Sequence, residues 1–238
     1  MYLSKLNMSQ FNQLKESIQG VVIPIGSTEA HGPHCPYGTD FLIPDEIANR
    51  LNDSRESLLI TPTINFGASW DLGHFPGTIS LSSETLTRVI TEVGNDILKW
   101  DLNNIIILNG HGGNNPAIRI ASQHLANNGA KVLVINWWLD YQDDILKICE
   151  SKGHAGEDET SAVLAIDSSL VDMDLAPKNT NIPIGKVYAS EVPLLVLENA
   201  ITGDATKASK EKGNKMLDLV REKVNTQIEY FLAGKYIK

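Results

Sequence analysis

The sequence is poor in cysteine. It contains two among its 238 residues, Cys35 and Cys149, and they do not share the CxxC spacing of redox or metal motifs. A disulfide framework is therefore not expected, and reduced thiols are typical of cytoplasmic proteins. We predict a cytoplasmic location.

Basic clusters and long apolar runs are also missing. Lys and Arg total 20 against 29 Asp and Glu, a formal charge of −9, and the basic residues are dispersed. This balance disfavours nucleic acid and anionic membranes as partners. The N-terminal residues lack the basic and apolar regions of a signal peptide. The most apolar stretch, residues 132–139, contains Asn136 and is too short to cross a bilayer. We expect neither secretion nor membrane insertion.

Strand, loop and helix patterns alternate along the chain, which is typical of a mostly parallel sheet flanked by helices. Pro44 and the acidic residues after it predict a helix start, since proline is favoured in a first helical turn. No segment resembles a linker, so we predict the α/β class, with residues 1–238 as one domain. Apolar runs predict the strands at residues 21–25, 58–63, 103–108 and 131–136.

The loop at residues 26–40 directly follows the first predicted strand and is rich in glycine and proline. Ligands of open α/β sheets bind beyond the carboxyl ends of such strands. Glu29 and His31 lie two residues apart, which in an extended segment places both side chains on one face. Asp40 follows at the end of the loop, where we expect a helix to begin. These residue types predict half of a metal site.

His111 follows the third predicted strand within the sequence Asn-Gly-His-Gly-Gly-Asn. The alternative, a phosphate-binding turn, is disfavoured because the glycines match neither the dinucleotide fingerprint nor a P-loop. We interpret His111 as a second contribution to the metal site.

Glu159 is expected on the buried face of a helix that begins near Gly156, because Glu159, Val163 and Ile166 follow helical spacing. A buried carboxylate needs a cation or strong hydrogen-bond donors. Glu157 should point elsewhere, and its charge is also explained by a helix N-terminus, which favours acidic residues.

Glu29, His31, Asp40, His111 and Glu159 together offer three carboxylates and two imidazoles. This donor set suits Zn²⁺ or Mn²⁺, with Fe²⁺ as a third choice. Five ligands exceed what one catalytic ion usually takes, so we predict two ions with Asp40 as the bridge. A bridging hydroxide would then hydrolyse an amide-type bond, and His154 would pass a proton to the leaving nitrogen.

Four motifs together resemble the creatininase (creatinine amidohydrolase) family. They are Gly-Ser-Thr-Glu-Ala-His-Gly-Pro-His with Gly-Thr-Asp, Phe-Pro-Gly-Thr, Asn-Gly-His-Gly-Gly-Asn, and His-Ala-Gly-Glu-Asp-Glu-Thr-Ser, in this order within residues 20–170. The resemblance implies a parallel α/β fold, two divalent ions per subunit and homo-oligomers, often hexamers. It also implies a catalytic role for His154 and metal ligands at Glu29, His31, Asp40 and His111.

The departures from the family pattern concern the substrate. Gly112 and Gly113 stand where creatinine-hydrolysing members have a tyrosine and a metal-binding glutamate, so Glu159 is our replacement ligand. The Gly-Gly form is similar to the formamidopyrimidine-nucleotide deformylase and mycofactocin precursor peptidase branches. We therefore expect cleavage of a non-peptide C–N bond in a small polar molecule. A short peptide tail, creatinine itself and a metal-binding relative without turnover are the alternatives.

Candidate substrate-binding residues are Ser69 and His74 in the long irregular segment at residues 65–78, and Trp137 after the fourth strand. Trp70, Trp137 and Trp138 could line a pocket, although tryptophans near strand ends more often pack in the core.

Overall fold

Four parallel strands form the central sheet, in the order β2-β1-β3-β4. The structure, a computed structural model, describes residues 1–52, 55–181, 187–189 and 196–236. The strands are β1 (Gly20–Ile25), β2 (Leu58–Ile60), β3 (Asn104–Asn109) and β4 (Lys131–Asn136). A short antiparallel pair, β5 (Lys178–Asn179) and β6 (Gly203–Asp204), lies apart from this sheet.

Helices cover both faces of the sheet. They are α1 (Met8–Leu14), α2 (Thr39–Asn52), α3 (Ser83–Leu98), α4 (Asn115–Asn127), α5 (Trp137–Asp140), α6 (Gln142–Ile145), α7 (Glu157–Ile166) and α8 (Lys210–Leu232). Short 3₁₀ segments, including Trp70–Leu72 and Gly112–Asn114, connect several of them. Within the described ranges, none of the helices has the length and apolar character needed to cross a membrane.

Alternate residues of the two central strands point to opposite faces, as strand geometry requires. Val22 and Ile106 pack with α2 and α8 in one core cluster. Val21 and Ile105 pack with α3 and α4 in the other. Because β1 and β3 are buried on both faces, their sequences are continuous apolar runs rather than alternating ones. The predicted α/β class with a mostly parallel sheet is confirmed.

The helix that carries Asp40 begins at the first of the two starts that the sequence indicates. The start expected at Asp40 is confirmed to within one residue and the start at Pro44 is wrong, because α2 begins at Thr39 and contains Pro44. Proline has no N–H to donate to the carbonyl oxygen four residues earlier, here that of Asp40. The helix tolerates this loss close to its N-terminus and continues to Asn52.

Two glycines let the first turn of α2 dock against the ends of β1 and β3. Ile25 and Asn109 pair in register, so the following residues, Gly26 and Gly110, leave the sheet side by side. A Cβ atom on Gly26 or Gly110 would lie 2.2 or 2.0 Å from the carbonyl oxygen of Asp40. Glycine is therefore required at both strand ends, and this close approach brings Asp40 to the loops that follow the strands.

Candidate metal centre

The structure brings all five predicted ligands together at the carboxyl ends of the strands. Glu29 and His31 lie in the loop after β1, Asp40 in the first turn of α2, His111 directly after β3, and Glu159 in the first turn of α7. All five are buried, from Glu29 at 0% exposure to His111 at 9%. Four separate segments thus converge on one point.

The five side chains form two groups that share Asp40. In the first, His111 Nδ1 lies 2.8 Å from Asp40 Oδ2 and 3.2 Å from Glu29 Oε1. In the second, His31 Nε2 lies 2.9 Å from Asp40 Oδ1 and 3.5 Å from Glu159 Oε2. Asp40 therefore presents one oxygen to each group.

The two imidazoles are oriented by backbone carbonyl groups. His31 Nδ1 lies 3.1 Å from the carbonyl oxygen of Glu29, and His111 Nε2 lies 3.1 Å from that of Ala68. A carbonyl oxygen only accepts, so each of these ring nitrogens carries the hydrogen and donates it. In the neutral ring the other nitrogen then directs its lone pair at carboxylate oxygens. A lone pair and a carboxylate oxygen repel each other unless a cation or a proton lies between the two atoms. Hydrogen bonds from a ring N–H to a backbone carbonyl group are a common way to orient metal-binding histidines.

When the imidazoles are neutral, three buried carboxylate oxygens of the cluster accept no hydrogen bond from the described residues, namely both oxygens of Glu29 and Oδ2 of Asp40. Burying a carboxylate without a compensating positive charge destabilises the folded protein, so this site requires a cation or protons. Ligand atoms bound at about 2.0–2.2 Å around one Zn²⁺ or similar ion lie about 3 Å apart. The separations of 2.8 to 3.5 Å within the two groups are of this size. The donor set therefore fits divalent cations.

The pKa values of the cluster residues in the metal-free protein show the same need for positive charge. Burial alone would lower the pKa of His31, but the charges of Asp40 and Glu159 outweigh it and raise that pKa well above its ordinary value. The pKa of His111 is raised in the same way, chiefly by Glu29 and Asp40. The pKa of Asp40 falls because the two imidazoles outweigh its burial. Protons thus supply the positive charge when no metal is bound.

His154 lies beside the cluster. Its Nε2–H donates to the carbonyl oxygen of Ala30 at 2.8 Å, which leaves Nδ1 facing Glu29 Oε1 at 3.6 Å. The His154 and His31 rings are 4.1 Å apart. Burial, and the charge of His31, lower the pKa of His154, so the ring is neutral at neutral pH. Glu29, His31 and His154 also form a third group with metal-ligand spacing, so this position suits either a proton carrier or a ligand.

A cavity of about 380 Å³ opens onto the cluster. Ser69 lines it, as expected of a substrate-binding residue, and its hydroxyl contacts Ser27 and lies 3.4 Å from His111 Nε2. The structure does not bring His74 to the cavity, because His74 is exposed in the turn after the 3₁₀ segment Trp70–Leu72. Trp137 is also absent from the cavity wall. It is fully buried in the core cluster that includes α2 and α8, while Trp138, next in the chain, lines the cavity.

Sequence reasoning missed three charged residues that line the cavity, Asp71, Lys152 and Asp158. Burial, together with the neighbouring charge of Glu159, raises the pKa of Asp158 to about 8, and its carboxyl group accepts the backbone N–H of Gly153 at 3.1 Å. The only signal in the sequence was their proximity to predicted site residues. Asp71 lies two residues after Ser69, Lys152 two before His154, and Asp158 directly before Glu159.

The absence of a side chain at Gly113 has a steric cause. A Cβ atom there would lie 2.0 Å from the carbonyl oxygen of Ala68. That carbonyl is the group that orients His111, so it cannot move away without disturbing the imidazole. A side chain at this position would force that carbonyl group to shift, and the third carboxylate of the cluster is that of Glu159 in α7.

The fold and the site define an α/β protein with a candidate divalent-metal centre at the carboxyl ends of its parallel strands. A family model described as "Creatininase: Creatinine amidohydrolase" matches residues 4–228. The chain belongs to the creatininase family, as its motifs predicted.

Individual relatives differ in the activity that their names state. The chain is 31% identical over 228 residues to the mycofactocin precursor peptide peptidase of Mycobacterium ulcerans (strain Agy99), covering 90% of this chain and 86% of that protein. It is 28% identical to the creatinine amidohydrolase of Pseudomonas putida, covering 84% of each. Among solved structures, a manganese creatininase superposes with a TM-score of 0.88 at 24% identity, covering 97% of this chain and 98% of that one. This last likeness confirms the fold.

Proposed function

We propose that the protein is a metal-dependent hydrolase of an amide-type C–N bond, with two divalent ions held by the cluster. The observation that carries the proposal is the pair of ligand groups that share Asp40, in which backbone carbonyl groups hold both imidazoles with a nitrogen lone pair toward buried carboxylates. Such a cluster destabilises the fold unless it binds cations.

Each ion has its own ligand group in this proposal. Glu29, Asp40 and His111 hold one, and His31, Asp40 and Glu159 hold the other. Divalent ions bound at such a site lower the pKa of coordinated water and polarise the substrate carbonyl group. Zn²⁺ and Mn²⁺ both suit these ligands, and Fe²⁺ is a third choice. A manganese creatininase and a creatininase variant of the Zn–Zn type are among the similar solved structures, which supports the choice of these metals for the tests.

His154 is the proposed proton carrier. It is neutral at neutral pH, and the bond from Nε2 to Ala30 keeps Nδ1 directed into the cluster. In that state Nδ1 can take up a proton from the attacking water and deliver it to the leaving nitrogen. Ser69, in the cavity wall, is the proposed hydroxyl contact for the substrate.

The bond could belong to a formamide or lactam, as the sequence predicts, or to a short peptide tail. The peptide alternative is favoured by the name of the relative at 31% identity. Turnover of formamides, lactams including creatinine, and short peptides by protein loaded with Mn²⁺ or Zn²⁺ distinguishes these substrates. Hydrolysis of none of them, with a metal content near zero after loading, would contradict the proposal. Tight metal binding without any turnover would identify a binding protein instead.

The homo-oligomeric assembly and the cytoplasmic location stay predictions. Light scattering coupled to size-exclusion chromatography measures the assembly, and a hexamer is the form that the family resemblance implies.

A further inference from the structure

We propose that Lys152 binds a carboxylate group of the substrate, so that the enzyme acts on C–N bonds in molecules that also carry a free carboxylate. This inference deepens the hydrolase function proposed above and rests on it for the identity of the scissile bond. The substrate class would include N-acylated amino acids and the C-terminal ends of peptides.

Lys152 lines the same cavity as Glu29, Asp40 and His154. Apart from the imidazoles of His111 and His154, it is the one cationic side chain in that wall among the described residues. Lys152 precedes His154 by two residues, so its basic side chain belongs to the part of the wall next to the proposed proton carrier.

The ammonium group of Lys152 has no carboxylate partner among the described residues. Its hydrogen-bond acceptor is the neutral amide of Gln142, and no carboxylate of the described chain lies within 4 Å of it. The two lysines that contact the neighbouring acidic residues differ in this respect, since Lys207 pairs with Glu150 and Lys212 with Glu157, each at 2.6 Å. Lys152 is thus the cation that remains available for an external anion.

The backbone on both sides of Lys152 is held in place. The N–H of Ser151 donates to Glu157 Oε2 at 2.8 Å, and the N–H of Gly153 donates to Asp158 Oδ1 at 3.1 Å. Binding groups on an immobilised backbone lose little conformational entropy when the ligand arrives. The fixed backbone, together with the hydrogen bond from Lys152 Nζ to Gln142, supports a preorganised contact.

The single ammonium group favours a monoanion. Phosphate sites commonly combine several donors, with bidentate arginine or a row of backbone N–H groups. As far as the structure describes it, the cavity wall has one lysine and no arginine, and it includes Asp71, whose carboxylate would repel a dianion more strongly than a monoanion. We therefore assign the anion as a carboxylate.

The test compares substrates that differ only in this group. For each class that metal-loaded enzyme hydrolyses, the free acid is assayed against its carboxamide, for example N-formylmethionine against N-formylmethioninamide. We expect the acid to be preferred about tenfold or more in kcat/KM, because one charge-assisted hydrogen bond has this effect. The variant Lys152→Met should remove the preference by acting on the acid alone. Gln142→Glu, which neutralises the ammonium group without removing it, should do the same.

Lys147→Met is the matched control, since Lys147 is exposed and pairs with Asp144 outside the cavity. An unchanged acid preference in Lys152→Met, or equal turnover of acid and amide by the unmodified enzyme, would overturn the proposal.

A binding measurement separates this inference from the hydrolase function. In metal-free protein, N-acetylglycine should bind about tenfold more tightly than N-acetylglycinamide, and the difference should vanish in Lys152→Met. Inorganic phosphate serves as the competing anion, and tighter Lys152-dependent binding of phosphate would contradict the assignment to a carboxylate. If no substrate is hydrolysed but this acid preference is present and depends on Lys152, the hydrolase function fails and the anion site stands.

Discussion

Glu157 and Glu159 lie two residues apart in the first turn of α7, and both carboxylates are buried at 8% exposure or less, yet their surroundings differ. Glu157 accepts hydrogen bonds from Lys212 Nζ at 2.6 Å and from the backbone N–H of Ser151 at 2.8 Å. Glu159 accepts one backbone N–H, that of Ala155, and the nearest nitrogen of a basic side chain is that of His31 at 3.5 Å.

The contrast extends to the groups around each residue. The Glu157 cluster, formed by Glu157, Ser151 and Lys212, carries its own cation. Glu159 belongs to a cluster with Glu29 and Asp40, in which three buried oxygens accept no hydrogen bond from the described residues when the imidazoles are neutral. Burial of a carboxylate therefore does not by itself indicate function. A structural carboxylate has a lysine from the same chain, whereas a candidate metal ligand is left for a cation from outside.

Among the changes that test this contrast, removal of Asp40 should have the largest effect on metal content and activity. Because Asp40 contributes to both ligand groups, Asp40→Ala should lower the metal content from about two ions per chain to a small fraction of one, and kcat by a factor of at least about 10³. The fold should persist, since the variant removes a buried charge and no core packing. Metal content is measured by mass spectrometry and folding by circular dichroism.

Asp45→Ala is the control for the Asp40 variant. Asp45 is also on α2, but it is exposed and bonds to Thr63. Full metal content in Asp40→Ala would show that Asp40 does not bridge two ions.

His154 should matter for turnover but not for metal content. His154→Ala removes a proposed proton carrier, so we expect kcat to fall by about 10²–10⁴ while the metal content stays unchanged. The side chain also has the spacing of a ligand to Glu29 and His31. Loss of an ion together with activity would therefore reassign His154 to the metal-binding cluster.

The sequence predicted that the side chains of Glu29, His31, Asp40 and His111 would meet, because the loops that carry them follow neighbouring strand ends. Their roles as ligands stay predictions. Glu159 was predicted from helical spacing. Trp137 and Trp138 could not be separated, because both lie in the first turn of the short helix α5 and the sequence does not state how that helix is oriented on the core.

The pairing of Glu157 with Lys212 could not be predicted either. These residues are 55 positions apart, and the contact depends on how α8 packs on α7. Helix spacing indicated only that Glu157 would point away from Glu159. For the same reason the sequence contained no sign that Lys152 would lack a carboxylate partner.

The two clusters should respond differently to added metal. Lys212→Met leaves the buried Glu157 carboxylate without its cation, and we expect a loss of about 2–3 kcal/mol in the free energy of unfolding, both with chelator and with Zn²⁺ present. Glu29→Gln removes a proposed ligand, so the stabilisation that Zn²⁺ gives the unmodified protein should be largely lost in this variant. Urea denaturation, with chelator and with Zn²⁺, measures both variants. An equal stabilisation by Zn²⁺ in Glu29→Gln and in the unmodified protein would erase the distinction between the clusters.

The smallest effect should be a difference between the unmodified protein and Glu157→Gln in how stability changes with pH. Although burial alone would raise the pKa of Glu157, its hydrogen bonds from Lys212 and Ser151 lower that pKa below the ordinary value of 4.5. A carboxylate with a depressed pKa stabilises the fold above its unfolded-state pKa, and this contribution is lost as the pH falls through the folded-state value. Metal-free protein should therefore be more stable than Glu157→Gln at pH 7, and the difference should shrink as the pH drops below about 4.5.

Glu211→Gln provides the comparison, because Glu211 pairs with Lys215 at the surface, where water screens the interaction. A difference between the unmodified protein and Glu157→Gln that is constant from pH 7 to pH 3 would show that the role of Glu157 is one of packing and not of charge.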